Sequence, residues 1–310
     1  SPMIIVIVFL LLLYVFYSKR SAFPPGPFPL PILGNFLQFD LANPHRTILA
    51  WRARYGPVFT VWLPKPIVVI ASKEVLQETL VGQADAFSAR PSSFLYRMFT
   101  GSHHEGDGII LSSGERWHSQ RSFALRTLKT FGFGGGEMEV KVNHHLDRLL
   151  ERFDLIIGEN RKSAVFDPHQ PLAFCIGNII QDLVLGKSYE YGDPEFAHFK
   201  HLIDSTLAQV QSVQMLVADC FPALACLLPG YHRYRRNGQA LQDFFLKEVA
   251  EHEKVLTMDG PPRDFIEAYL RMMKEQPDNK HFSHLTLALD AGDLWTGGME
   301  TTVTTIRWGQ

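Results

Sequence analysis

Residues 293–310 (DLWTGGMETTVTTIRWGQ) follow a helical pattern whose interior holds two adjacent glycines, Gly297 and Gly298, with Glu300 and Thr301 just beyond. Each interior glycine costs a helix about 1 kcal/mol relative to alanine, so the pair gives up about 2 kcal/mol of propensity. Paired glycines are among the few causes of a local helix opening. A carboxylate and a hydroxyl beside such an opening can accept, hold and relay protons. The pattern therefore predicts a helix whose backbone a small ligand can approach, with Glu300 and Thr301 as proton carriers. Taken alone, Thr301 has a plainer reading, because a helical threonine often bonds back to the carbonyl four residues earlier, here Gly297.

A second pair lies upstream. Trp117 and Arg121 stand at i and i+4 and so share one helix face. An indole N–H and a guanidinium pointing the same way form a donor pair suited to a carboxylate. An ordinary amphipathic helix with a half-buried tryptophan is the commoner outcome of that spacing. Over residues 113–131, Arg116, Arg121, Arg126 and Lys129 face Glu115 alone, which makes either a docking face for an acidic partner or a solvated basic face. Other clusters carry less. The GFGGG run at 132–136 follows a helix and lacks a Walker lysine, so helix termination is its reading. His103-His104, His144-His145 and His281/His284 form no strong ligand set. Cys175 sits in an apolar helical stretch and reads as inert core, and Cys220 and Cys226 flank a Pro-bounded turn.

The elements that must position these groups follow from composition and pattern. The 310 residues are 46% hydrophobic and 20% charged, with a net charge of −2, which describes a globular chain and gives no sign of a nucleic-acid partner. Three cysteines without C-x-x-C spacing fit a reducing compartment. Residues 3–17 (MIIVIVFLLLLYVFY) carry no charge and as a helix would span about 22 Å, against the roughly 30 Å of a hydrocarbon core. Lys19 and Arg20 follow that run and no small-residue cleavage site appears. An uncleaved anchor, with the rest of the chain facing the cytosol, is favoured over a signal peptide. Residues 23–31 (FPPGPFPLP) read as a stiff, extended tether. A helix over 46–55, a hairpin of Val58–Leu63 with Ile67–Ala71, and a Ser72-capped helix through Val81 precede a loop over 84–112. Helices are expected at about 115–130, 137–157, 171–185, 195–217, 235–257, 264–275 and 284–310, separated by Gly/Pro breakers. The class is mainly α with a small N-terminal β part, without βαβ alternation.

Together these pieces resemble a microsomal cytochrome P-450, a haem-thiolate monooxygenase of the animal family-2 type. The resemblance is carried in order by PPGPFPLPILGN (24–35), YGPVF (55–59), FSARP (87–91), GIILSSGERWHSQRSF (108–123), FPALACLLPG (221–230), PRDFIEAYL (262–270) and DLWTGGMETT (293–302). It implies a cytochrome P-450 fold truncated after the central oxygen-binding helix: a membrane anchor over 1–18, a basic, proline-rich hinge over 19–35, and an incomplete catalytic domain over 36–310. Trp117 and Arg121 would hold the propionates of haem b (iron protoporphyrin IX). Gly297, Gly298, Glu300 and Thr301 would form the oxygen-binding groove, with Thr301 and Glu300 delivering protons. Ile109, Ile110, the helix Leu202–Leu216 and the face of Asp293 and Gly297 would line a pocket for a small apolar substrate. Electrons would come from NADPH through a reductase docking on 115–130, with cytochrome b5 as a further partner. The place would be the endoplasmic reticulum membrane, with no nucleic acid involved.

Departures from the family pattern stand at Gly297 (usually alanine), Met299 (threonine), Ser122 (a second arginine) and Glu105 (an arginine near a propionate). The chain opens at Ser1 and stops at Gln310 without a cap signal, and so reads as a fragment. The resemblance places the axial cysteine beyond Gln310, with no metal ligand within this chain. On that reading the fragment alone is inactive and aggregates or stays partly molten, with Leu294 and Trp295 exposed. The rival classes are a truncated, non-catalytic homologue binding membrane or partner proteins, and a haem-free carrier of apolar ligands.

Overall fold

The computed structural model describes residues 3, 11, 14, 17–40, 42–63, 65–91, 93–100, 106–158 and 166–309. Most of the anchor expected over 1–18 lies outside the described residues, as do His103, His104 and Glu105. Among the described residues, no helix is long and apolar enough to cross a membrane. The chain divides into two compact units, residues 1–89 with 216–225 and residues 90–215 with 226–310.

The first unit is built on a hairpin. Strands β1 (Val58–Leu63) and β2 (Lys65–Ile70) pair antiparallel, with Val58 opposite Ile70 and Trp62 opposite Pro66. Strand β2 starts two residues earlier than the sequence pattern predicts. Proline lacks the donor a central strand needs, but β2 has a single partner in this two-stranded sheet, so Pro66 is tolerated. Phe59, Val61 and Trp62 are buried, and helix α1 (Pro44–Tyr55) brings Trp51 edge-on to Phe59. Residues 23–31 are extended as expected, yet docked rather than a free tether. The Thr60 N–H donates to the Pro25 carbonyl at 3.0 Å, and a Cβ on Gly26 would fall on the Thr60 carbonyl. Ser72 caps α2 (Lys73–Leu76) by accepting from the Val75 N–H, and the chain continues as a π-turn over Gln77–Val81. A four-residue helix, α3 (Ala84–Phe87), follows.

The second unit is helical: α4 (Phe94–Thr100), α5 (Gly114–Thr130), α6 (Gly136–Ile157), α7 (His169–Leu185), α8 (Pro194–Val210), α10 (Pro229–Lys254), α11 (Phe265–Glu275) and α12 (His284–Trp308). Helix α4 lies where the sequence pattern predicts a loop. Its seven residues are too few to hold a helix by propensity, and tertiary contact supplies the difference: Leu95 is buried and Phe94 stacks on Tyr231. The single helix expected over 195–217 is two, α8 and then α9 (Val213–Cys220), because Ser212 accepts from the Met215 N–H and starts a new turn. Helix α10 begins at Pro229, a breaker by its sequence pattern. At the first helical position a missing N–H costs nothing. Tyr234, Leu241, Phe245 and Val249 of α10 join Phe199 and Ile203 of α8 and the buried side of α12 in one core.

Candidate active site

Helix α12 buries Leu287, Ala291, Trp295, Met299 and Val303, one residue in every four, which gives it a continuous apolar spine. Met299 belongs to that spine, so an apolar side chain suits its position. Trp295 is fully buried and its indole N–H donates to Gln181 Oε1 of α7 at 2.7 Å, against the expectation that it would be exposed. Exposure falls instead on Gly297, Thr301, Thr304, Thr305 and Trp308, which is 86% exposed.

The two glycines do different things. The helix runs unbroken from His284 to Trp308, so the expected opening in its ladder is not present. A Cβ on Gly298 would lie 2.7 Å from Cδ1 and 3.0 Å from Cγ1 of Ile180, so this glycine lets α12 and α7 approach. A Cβ on Gly297 would meet nothing within 4 Å, and the backbone there is open to approach. The Thr301 hydroxyl donates to the Gly297 carbonyl at 2.6 Å, the back-bonded arrangement, and Thr305 repeats it on the Thr301 carbonyl at 2.8 Å.

Glu300 points elsewhere. Its Oε1 lies 3.7 Å from Lys200 Nζ of α8, and Lys200 also holds Asp204 at 2.7 Å. Burial raises the Glu300 carboxyl above its ordinary value; Lys200 opposes this and Asp204 adds to it. Adjacent helical residues project about 100° apart, so the Glu300 carboxyl and the Thr301 hydroxyl are not brought together.

Asp293 is brought together with the loop before α5. Its Oδ2 accepts the N–H groups of Ile109 at 2.7 Å and Ile110 at 2.8 Å. Gly108 makes this possible, since at φ +82° a Cβ would sit 2.5 Å from that oxygen. Burial pushes the Asp293 carboxyl up to about 6, against the pull of the two N–H donors. Beside this clamp lies an apolar cavity of about 170 Å³ lined by Ile110, Leu111, Ile203, Leu207, Val210, Phe245, Ala288, Leu289, Asp293 and Thr296. Ile109 packs against the core instead, and neither Gly297 nor any residue of 211–216 is in the lining.

One turn before Asp293, Asp290 is wholly buried, and neither of its oxygens has a hydrogen-bond partner among the described residues. Burial raises its pKa well above the ordinary value for an aspartate, with Asp293 and Asp107 adding to the effect. Arg116, counted in the basic face of α5, is committed to Asp107 at 2.7 Å. The Arg121 guanidinium lies 5.6 Å over the Trp117 ring, and neither side chain's N–H groups are in a hydrogen bond among the described residues. Arg121 is exposed and Trp117 half-buried, which leaves the donor pair open to an acceptor. Cys175 is buried between α6 and α7, donates to the His145 carbonyl, and has its thiol pushed up to about 11 by burial. Sequence reasoning misses Gly108, Gln181, Lys200 and Asp290. Only Gly108 leaves a local signal, the Gly106-Asp107-Gly108 run.

The cytochrome P450 family model matches residues 24–309. Cytochrome P450 2B4 of Oryctolagus cuniculus is 37% identical over 307 residues, covering 97% of this chain and 60% of that protein. Cytochrome P450 2B19 of Mus musculus is 35% identical over 295 residues, covering 94% and 58%. A 3-ketosteroid oxygenase of Caenorhabditis elegans is 32% identical over 310 residues, covering 99% and 52%. The chain thus spans between about half and three fifths of the length of these relatives. A family match over residues 24–309, on a helical chain with a two-stranded sheet, leaves one conclusion: this chain belongs to the cytochrome P450 family.

Proposed function

We propose that the protein acts with haem b as a monooxygenase, inserting one atom of dioxygen into a small apolar substrate and releasing the other as water. Residues 1–18 serve as its anchor in the endoplasmic reticulum membrane, 19–35 as a hinge and 36–310 as part of a catalytic domain facing the cytosol. NADPH supplies electrons through a reductase, and cytochrome b5 is a second donor. The observation that carries this reading is the apolar cavity bounded on one side by the Asp293 clamp at the middle of α12, one turn before the open backbone of Gly297.

Two features fit a haem. The Trp117 indole N–H and the Arg121 guanidinium are uncommitted donors whose chemistry matches a pair of propionates. The Gly297 face offers room that a side chain would fill. Haem, when bound, supplies the redox chemistry that activates dioxygen. The chain's own residues do the rest. Asp293 fixes the backbone of Ile109 and Ile110 and so sets one wall of the cavity. The apolar lining excludes water and selects apolar substrates. Thr301 Oγ1 holds its proton against the Gly297 carbonyl and releases it to the open side by turning about χ1. Glu300, with its raised pKa, holds a proton nearer neutrality than an ordinary carboxyl, and a water must carry it round the helix to Thr301.

A carbon-monoxide difference spectrum of the intact, reduced protein tests this reading. A thiolate-haem band supports it, and no haem band overturns it in favour of the second reading, a non-catalytic homologue that binds membrane or partner proteins.

A further inference from the structure

Helix α12 carries two aspartates one turn apart, and of the two only Asp293 lines the apolar cavity. Asp290 is wholly buried outside that lining. Both of its carboxyl oxygens, Oε1 of Gln120 in α5 and the hydroxyl of Tyr269 in α11 are buried, and none of them is in a hydrogen bond among the described residues. These atoms belong to one place. The Tyr269 hydroxyl faces the Gln120 amide and the Ser283 backbone without closing a hydrogen bond to either, and it feels the charges of Asp290 and Asp107. Gln120 is oriented from its other end, where Nε2 donates to the His281 carbonyl at 2.6 Å. Phe123 of α5 lies edge-on to the Tyr269 ring, with centroids 5.2 Å apart, which fixes that ring against α5.

Buried polar atoms are nearly always satisfied, by protein or by ordered water. Where protein groups face one another but do not meet, a water with two to four polar partners completes the set. Asp290, Gln120 and Tyr269 supply partners enough. A metal ion answers the same need less well. Asp107 is already paired with Arg116 at 2.7 Å, and among the described residues no group of three or more His, Cys, Asp or Glu could hold a metal. A buried carboxyl that lacks a cation keeps its proton instead. The charged groups acting on Asp290 push the same way, Asp293 from its own helix and Asp107 from the loop before α5. The two N–H donors of the clamp favour the charged form of Asp293. Of the two acids Asp293 therefore ionises first, and Asp290 retains its proton.

We propose that α5, α11 and α12 enclose an internal water site in which Asp290 is the proton-bearing group, so that a proton is held one turn from the cavity wall at Asp293. The site is separate from Glu300 and Thr301, and the proposal does not depend on haem.

Infrared spectra of the intact protein in detergent and heavy water test the acid. At about pH 8 Asp293, which titrates at about 6, is ionised and silent in the protonated-carboxyl region. The expected result is a protonated-carboxyl band in wild type, placed at the lower frequency of a hydrogen-bonded acid and lost in Asp290→Asn. Tyr269→Phe removes one partner of the water and should move that band without abolishing it. Magnetic relaxation dispersion of solvent water tests the ligand: wild type should show a long-lived internal water that Asp290→Leu removes by filling the site. The wild-type band needs no variant to be seen, so a variant that fails to fold leaves the test intact. Three results would each overturn the proposal: no protonated-carboxyl band in wild type, a band at the position of an acid free of hydrogen bonds and unmoved by Tyr269→Phe, or a water signal that Asp290→Leu leaves unchanged.

Discussion

Alanine substitutions at Gly297 and Gly298 should have opposite effects, although the two sites are neighbours in one helix. Each exchange gains about 1 kcal/mol of helix propensity. At position 297 nothing offsets the gain, because the new Cβ meets no atom within 4 Å, and Gly297→Ala should stabilise by about 1 kcal/mol. At 298 the Cβ arrives 2.7 Å from Cδ1 and 3.0 Å from Cγ1 of Ile180. Relieving such overpacking typically costs about 1–3 kcal/mol, so Gly298→Ala should be neutral to about 2 kcal/mol destabilising. The difference between the two variants is free of propensity and isolates the packing. Ile180→Val removes the nearest atom, so Gly298→Ala combined with Ile180→Val should recover about 0.5–2 kcal/mol relative to the sum of the single changes. Urea unfolding of the intact protein in detergent, followed by tryptophan emission at constant m, measures the wild type and the four variants. If alanine is as favourable at 298 as at 297, or if the coupling with Ile180 is zero, Gly298 does not set the distance between α7 and α12.

Gln181→Leu should cost about 1–3 kcal/mol by leaving the buried Trp295 indole N–H without its acceptor, and Trp295→Phe in that background should recover part of it on denaturant unfolding. Asp293 titrates at about 6 in the folded chain against an ordinary value of 3.8, so the native state binds its proton more tightly. Its contribution is therefore most favourable below about pH 4 and is lost as pH rises to about 6, by roughly 2–3 kcal/mol. The unfolding free energy of Asp293→Asn, measured across that window, should lack this slope. His252 lies 3.3 Å from Asp264 and is held above its ordinary pKa; burial alone would lower it, and Asp264 and Glu248 together outweigh burial. That stabilisation is complete below the unfolded pKa and is lost as pH rises through the folded one. The stability gap between wild type and His252→Gln should accordingly be wider at pH 6 than at pH 9.

Much of this architecture is legible in the amino-acid sequence, because helices in a buried core must repeat apolar residues at their own period. The expected helices at 115–130, 137–157, 264–275 and 284–310 lie within two residues of α5, α6, α11 and α12 for that reason. What local pattern misses is set at long range. Helix α4 exists through contacts such as Phe94 on Tyr231, and nothing in residues 94–100 announces them. The Asp293 clamp joins groups 183 and 184 residues apart, and Gly298 is explained by Ile180. Glu300 and Thr301 look like partners in sequence, yet helix geometry turns one toward Lys200 and the other to the open side. Trp117 and Arg121 are the converse case, since an i, i+4 spacing already fixes their shared face, and the guanidinium lies over the ring.

Whether the donor pair on α5 serves a porphyrin is decided by haem titration of the intact protein, followed by its Soret band and compared with a Trp117→Phe/Arg121→Gln variant. Losing two charge-assisted donors to carboxylates should weaken haem binding by at least about tenfold, with the far-ultraviolet spectrum unchanged. Binding of equal strength in wild type and variant, or a wild-type protein that takes up no haem, would overturn this assignment.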